Sequence, residues 1–337
     1  MYIGFLRSNP RPGHLARLMS MVGKEHGLTI VYFNLKDVNI ERNIVKGKRL
    51  ENNKWIDCVV ETPKFIDINP NLFKRKKYKK VFEHLKRNSY LSVDKRMPLP
   101  KDRLQEVFKD DPEMSKYLIP TKRVKSFKDI IKFIKRHQEI VLKPVYSNQG
   151  KNVYKVTKKG CKYELEFYRE KYRISKRKFK KIYKNEIKDK VFIVQKFIDS
   201  RTKEHKHPFD CRIHVEKNGK NKWHNVKNFI RVGIGQSVIS NINQGGGIAD
   251  VRQFLKANYP DKWKEIEKQI KIAAKTIPYK VEKVTKYEYM TMGLDIGIDK
   301  DGNLYLFEVN DYPILSPMRS EVAMVRARYY KYKVKNE

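Results

Sequence analysis

Apolar and polar positions change texture three times along the chain. YIGFL (2–6) and TIVYF (29–33) are short apolar runs that read as buried strands, and the residues between them, about 14–26, have helical spacing. DCVVET (57–62) reads as a third strand, preceded by a turn at Lys46-Gly47, so the pattern predicts a small α/β domain at the start. NLFKRKKYKKVFEHLKRN (71–88) is expected to be helical, burying a stripe of Leu72, Phe73, Val81, Phe82 and Leu85 beneath lysines. A helical connector is expected over 100–121, ending near Pro120, and Ser126 is a candidate cap for the next helix, SFKDIIKFIKRHQ.

From residue 139 the texture becomes strand-like. EIVLKPV, NVYKVT and CKYELEF precede a basic helix expected near 175–187, and VFIVQKFI (191–198) follows it as an apolar strand. FDCRIHVEKN and KWHNVKNFIRVGI read as long strands around Gly219. QGGGIADV then opens a helical region of about 250–286 with a break near Pro260. GLDIGIDKDGNLYLFEVNDYP (293–313) closes the pattern as a hairpin. The fold class expected is α/β (α+β) in two or three subdomains, since 337 residues exceed one small core.

The hairpin carries the sharpest chemical signal. With the turn at Asp299–Gly302 and Ile298 facing Asn303, Asp295 falls opposite Leu306. Glu308 is then its diagonal neighbour on the same side, with Cα atoms about 7–8 Å apart, and Asn310 shares that side. Leu294, Ile296, Tyr305, Phe307 and Val309 would face the core. Two carboxylates and an amide oxygen suit a hard divalent cation such as magnesium; a merely solvated polar face is the competing reading. The match to a calcium loop fails, because Gly297 stands where the first ligand is needed and both flanks alternate as strands.

Charge widens the list of partners without choosing among them. Lys and Arg number 76 against 38 Asp and Glu, a net charge of +38, which draws in nucleotides, nucleic acid, acidic polymers or an anionic membrane surface. No zinc-finger, RNP or helix-turn-helix signature appears, so nucleic acid is not favoured. The 3 cysteines (Cys58, Cys161, Cys211) are scattered, which points to reduced thiols. MYIGFLRSNPRPG does not read as a signal peptide and no apolar run approaches a membrane span, so a cytoplasmic protein is expected.

Other segments carry weaker signals. Lys143 ends an apolar strand and precedes a turn containing Ser147, Gln149 and Gly150, a candidate lid over phosphates that is neither a Walker loop nor a dinucleotide fingerprint. Gln195-Lys196 ends a third apolar strand whose backbone can hold an adenine. Asp210 and Arg212 lie two apart on one side of a strand, followed by Arg231 and a polar stretch ending in Gly245, Gly246 and Gly247. Those glycines read either as a helix-start loop or as a close approach to an anion.

In this order the segments resemble the ATP-grasp superfamily, from about residue 95 to 320. LKPVYSNQGKNVYKV, FDCRIHV, NQGGGIADV and the hairpin most resemble its YheC/YheD branch, associated with bacterial endospore coats. The resemblance implies a pre-ATP-grasp α/β domain (1–95), a small lid subdomain with the nucleotide hinge (96–198) and a large subdomain with the metal site (199–337), the last two clasping ATP. It implies Lys143, and less closely Lys101, at the phosphates under the Ser147, Gln149, Gly150 lid, and an adenine hinge of Gln195, Lys196, Phe197 and Ile198. The family hinge often carries a glutamate where Lys196 stands, which leaves Asp199 as the candidate ribose acid. Asp295, Glu308 and Asn310 would hold magnesium, or manganese in its place, and Arg212 and Arg231 would steady the transferring phosphoryl group or a substrate carboxylate. Asp210, Asn241, Gly245, Gly246 and Gly247 would form the substrate and phosphate loop.

The activity so implied is an ADP-forming ligase that joins a carboxylate to an amine or related nucleophile through an acyl phosphate, with an acidic peptide or polymer as a candidate substrate. The alternatives are a degenerate nucleotide- or polyanion-binding structural protein, and a phosphotransferase. The resemblance also admits association with the spore coat or cell envelope.

Overall fold

The computed structural model describes residues 1–95, 103–145, 152–167, 170–234 and 246–336. Three sheets follow one another along the chain. The first contains β1 (Tyr2–Leu6), β2 (Thr29–Phe33), β3 (Val38–Asn39), β4 (Ile44–Glu51), β5 (Lys54–Glu61), β6 (Phe65–Ile68) and β7 (Tyr90–Leu91), with helices α1 (His14–Glu25) and α2 (Lys79–Asn88). β1 lies between β2 and β6 and runs parallel to both. The β-α-β opening is as expected, but the turn placed at Lys46-Gly47 is not there. β4 runs straight through it, and the reversal comes at Asn52 and Asn53, both at positive φ. Gly47 instead allows close approach, since a Cβ on it would lie 2.6 Å from Val31 Cγ1 and 2.9 Å from the Tyr32 carbonyl. The helix expected from residue 71 begins only at Lys79, after 3₁₀ turns over Pro70–Lys74 and Lys76–Tyr78. Lysines three and four apart in that run repel one another and disfavour an α-helix.

The second sheet is antiparallel, in the order β12-β11-β10-β9-β13-β8. Its strands are β8 (Thr121–Arg123), β9 (Glu139–Pro144), β10 (Tyr154–Lys159), β11 (Lys162–Phe167), β12 (Glu170–Ile174) and β13 (Phe192–Lys196). In the described part of the expected connector the helix is α3 (Arg103–Phe108), after which the chain turns through Ser115–Tyr117. α4 (Phe127–His137) begins at the expected cap: Asp129 N–H donates to Ser126 Oγ while the Asp129 carboxylate accepts from Ser126 N–H. α5 (Lys176–Ile182) continues into a π-helical turn over Tyr183–Ile187. Both helices cover one face, packing on Ile140, Leu142, Val156, Leu165, Phe192 and Val194. Strand alternation therefore sends Lys143, Lys155, Glu166 and Gln195 to the helix-free face.

The third sheet contains β14 (Phe209–Lys217), β15 (Trp223–Val232), β16 (Gly247–Ala249), β17 (Thr291–Ile298) and β18 (Leu304–Asn310), in the order β16-β15-β14-β17-β18. α6 (Val251–Asn258) and α7 (Trp263–Thr285), separated near Pro260 as expected, cover the face carrying Cys211, Ile213, Leu294 and Ile296. α8 (Arg319–Asn336) covers part of the other face and also enters the first domain's core. There its Ala323, Ala327, Tyr329 and Tyr330 join Ile3, Phe5, Met19 and Ile30.

Candidate active site

β14 is buried along its whole length, so both of its faces must be satisfied. Phe209, Cys211, Ile213 and Val215 enter the apolar core, leaving Asp210, Arg212, His214 and Glu216 in a row on the other face. The register sets Arg231 of β15 opposite Asp210 and Asp295 of β17 opposite Arg212. A compact charge cluster results. Arg231 grips Asp210 with two bonds of 2.7 Å and reaches Asp295 Oδ2 at 3.0 Å. Arg212 donates from Nε to Asp295 Oδ1 and from Nη2 to Oδ2, the latter at 3.1 Å. Burial opposes ionisation of Asp295, yet the two guanidiniums more than offset it and hold the carboxyl at about 2. Burial likewise opposes the Arg231 charge, and Asp210 and Asp295 outweigh it, raising the guanidinium above its ordinary value.

The hairpin departs from the expected register in a way that tightens this site. Ile298 pairs with Leu304, so the turn occupies Asp299–Asn303. Asp299 Oδ1 accepts from the Asp301 and Asn303 N–H groups, and Gly302 takes φ 87. A bulge then follows between Asp295 and Ile296, which brings Glu308 directly opposite Asp295 and Asn310 opposite Gly293. Such opposed side chains start about 4.5–5.5 Å apart at Cβ, closer than the diagonal placement expected. The bulge also changes which residues enter the core: Leu304, Leu306 and Val309 do, whereas Tyr305 and Phe307 do not. The Asp299 carboxylate is consumed by the turn, its Oδ2 accepting from Asn303 Nδ2 and Tyr305 OH, which agrees with excluding a calcium loop.

The donor set fits a divalent cation in kind. Asp295 is ionised, Glu308 faces it, and the Asn310 amide lies 3.3 Å from Asp295 Oδ2. Among the described residues no group of three His, Cys, Asp or Glu converges as a metal site. Both Asp295 oxygens already accept from arginine, so a cation there would compete with the guanidiniums for the carboxylate.

Lys143 stands at the end of β9 on the helix-free face, opposite Ile193 of β13. The same face presents Lys155, a residue that sequence reasoning missed. Its Nζ lies 3.2 Å from Glu166 and 3.3 Å from Glu139, and 4.1 Å above the Phe197 ring. The signal was present as alternate polar positions in NVYKVT and KYELEF. At the hinge, Gln195 Nε2 donates to Thr121 Oγ1 at 2.8 Å, Lys196 N–H to the Pro120 carbonyl and Phe197 N–H to the Glu139 carbonyl. Those groups serve the sheet itself. Ile198 is buried, and Asp199 is exposed with Oδ1 3.4 Å from Arg201 Nε. Gly246 precedes β16 and Gly247 opens it, pairing with Val232 rather than starting a helix; the α6 cap is Asp250, which accepts from Gln253 N–H. Lys101, Ser147, Gln149, Gly150, Asn241 and Gly245 lie outside the described residues.

Sequence reasoning also missed where the β14 row continues. Glu216 accepts from His214 Nε2 (2.7 Å), Thr291 Oγ1 (2.8 Å) and both Nε and Nη2 of Arg326 on α8 (2.9 Å each). Arg326 reaches Asp67 at 3.5 Å, and Asp67 also meets Tyr330 OH and, at 3.0 Å, Arg7. Burial opposes the Glu216 charge, and Arg326 and His214 outweigh it to keep the carboxyl below its ordinary range. One buried network thus runs from the first sheet through α8 to the strand that carries Arg212.

A family model described as YheC/D like ATP-grasp matches residues 94–333. The chain belongs to that family. Two relatives from Bacillus subtilis (strain 168) are the endospore coat-associated proteins YheC, 24% identical over 218 residues, and YheD, 20% identical over 294 residues. The matches cover 58% and 83% of this chain but only 55% and 63% of those relatives' lengths. Among solved structures, D-cycloserine synthetase DcsG aligns over 98% of this chain and 99% of its own with a TM-score of 0.57 at 12% identity. N5-carboxyaminoimidazole ribonucleotide synthetase purK, as its ADP complex, aligns over 94% and 71% with a TM-score of 0.53 at 12% identity. A Chryseobacterium gregarium RiPP-associated ATP-grasp ligase, in complex with ADP and a leader and core peptide, aligns over 100% and 97% at 0.50 and 11% identity. These likenesses establish the ATP-grasp fold, in a superfamily whose solved members here are ligases. No described helix is long and apolar enough to cross a membrane.

Proposed function

We propose that the chain is an ATP- and magnesium-dependent ligase that joins a carboxylate to an amine or related nucleophile through an acyl phosphate. The observation that carries this reading is the placement of Asp295 directly opposite Glu308, with Arg212 and Arg231 on the same carboxylate. On this reading Asp295, Glu308 and Asn310 hold the cation, which supplies charge neutralisation to the triphosphate when bound. Arg212 and Arg231 turn from Asp295 toward the transferring phosphoryl group, and Asp210 keeps Arg231 in line. Lys143, with Lys101 and the Ser147, Gln149, Gly150 segment, closes on the phosphates. The hinge residues 195–199 take the adenosine, and Asn241 and Gly245 to Gly247 face the acyl donor. The division at 1–95, 96–198 and 199–337 then separates a substrate-side domain, a lid and the metal-bearing half.

A carboxylate oxygen bonds to the γ-phosphorus as the bond to the β,γ-bridging oxygen breaks, and ADP leaves with that electron pair. The amine nitrogen then bonds to the acyl carbon, phosphate departs with the C–O electrons, and the nitrogen gives up a proton. A peptide side-chain carboxylate is the donor class we favour, in keeping with the peptide-bound neighbour. The test is ADP release from ATP and magnesium across a panel of acidic peptides and amines. Release that requires both acid and amine supports a ligase; release with the acid alone, as a stable phosphorylated product, would make it a phosphotransferase.

The arginine clamp gives a second test. Two guanidiniums at Asp295 repel a cation that arrives alone, whereas a polyphosphate draws them away. Manganese is expected to bind roughly 30-fold more tightly with ADP present than without it, a coupling of about 2 kcal/mol. Titration calorimetry of the wild type and of Arg212→Met, in which most of the coupling is lost, checks this.

A further inference from the structure

The lid's helix-covered face carries a charge that the proposed chemistry does not use. Between residues 121 and 196 there are 25 Lys and Arg against 7 Asp and Glu, so this segment supplies +18 of the net +38. Lys128, Lys132 and Lys135 of α4 and Lys176, Lys178 and Lys180 of α5 are all exposed. The two helices touch through Phe127 and Phe179, ring centroids 5.3 Å apart, which makes their cations one continuous surface. Little on that surface balances it. Asp129 is committed to Lys122 at 2.7 Å and to its capping box, Glu170 of β12 accepts from the Tyr172 hydroxyl, Glu186 lies 3.9 Å from Lys190, and Glu139, Glu164 and Glu166 alternate to the opposite face. Moreover the first turn of α5 is Lys176, Arg177 and Lys178 with no acid, the charge order that a helix dipole disfavours. Local stability does not account for those cations.

The adjoining strand says what kind of anion fits. Among the described residues β12 is the edge of the lid sheet, paired only with β11, and it runs through Ser175 directly into α5. Its outer side offers backbone donors and acceptors to another extended chain, and the exposed lysines of α5 beside it repel a cationic strand and attract an acidic one. Phe127, Phe179 and Tyr183 are packed inward, and Tyr172 of β12, 43% exposed, is a single ring rather than the series on which successive bases stack. We infer that the β12 edge and the adjoining α5 surface form a docking site for an extended acidic polypeptide segment. The α5 cations of the site lie on the sheet face opposite Lys143, and the site does not depend on the ligase reading.

The test is fluorescence anisotropy on the full chain with a labelled peptide of alternating Glu and Thr. Its competitors are single-stranded RNA of equal charge and phosphatidylglycerol vesicles. Binding is expected to weaken about tenfold in Lys176→Glu/Lys178→Glu/Lys180→Glu, and as much when alternate peptide amides are N-methylated. Should the triple variant fail to fold by thermal denaturation, Lys176→Gln/Lys178→Gln/Lys180→Gln takes its place with the same expectation. RNA or vesicles binding at least as tightly as the peptide, indifference to N-methylation, or unchanged affinity in a folded variant would each overturn the assignment.

Discussion

Asp295→Asn is expected to cut turnover by about 10³-fold and to lower the unfolding free energy by about 3 kcal/mol. The first effect follows from the proposed role in holding the cation. The second does not depend on that role. Asp295 is the carboxylate on which Arg212 spends both Nε and Nη2, and it shares Arg231 with Asp210. An asparagine leaves two buried guanidiniums side by side with one counter-charge fewer. Urea denaturation measures the loss, and adding Arg212→Met to the variant should restore part of it, since the uncompensated charge then disappears. The effect has a pH signature of definite sign. Asp295 is depressed from 3.8 to about 2, so its contribution is fully present above the ordinary carboxylate range and fades as pH falls through about 2. The gap in stability between wild type and variant should therefore narrow below about pH 4. A variant as stable as wild type at neutral pH would remove the clamp from the account.

Arg326→Met is expected to cost about 4 kcal/mol, more than the change at Asp295. Arg326 is 1% exposed, and the carboxylates it joins, Glu216 and Asp67, are both at 0%. Methionine matches the length of the side chain but leaves two buried acids without their shared counter-ion. Arg326→Lys should fall between, because a single ammonium cannot reproduce the two-pronged grip on Glu216 while reaching Asp67. The informative control is Arg326→Met with Glu216→Gln, which removes the two-pronged pair together while Arg7 still balances Asp67, and which should recover part of the loss. Guanidinium unfolding curves with unchanged slope are the measurement; equal stability of the single and double variants would contradict the charge argument.

The polar face of β14 was legible because strand alternation is strict: once FDCRIHV reads as a strand, Asp210 and Arg212 must share a side. The same logic placed Asp295, Glu308 and Asn310 together. What it could not supply was one added residue. Tyr305 and Phe307 look as apolar as Leu304 and Leu306, so hydropathy alone does not reveal the bulge that exchanges which pair enters the core. Nor does sequence show partners far apart in the chain. Glu216 reads as one more polar position on a strand until Arg326, 110 residues later, closes on it. The Lys46-Gly47 error has a different origin. Glycine usually marks a turn, and here it marks a strand pressed against Val31 and Tyr32.

The entry of α8 into the first core has a consequence for biosynthesis. The sheet complete by Leu91 leaves Phe65, stacked on one side by Tyr90, only partly covered until Tyr329 and Tyr330 arrive to pack on its ring, at centroid distances of 6.1 and 5.1 Å. At ribosomal speeds that interval is on the order of ten to fifty seconds. A nascent chain therefore waits with a greasy wall bare, and lesions in its last helix should surface first as poor soluble yield, before any defect in the finished enzyme.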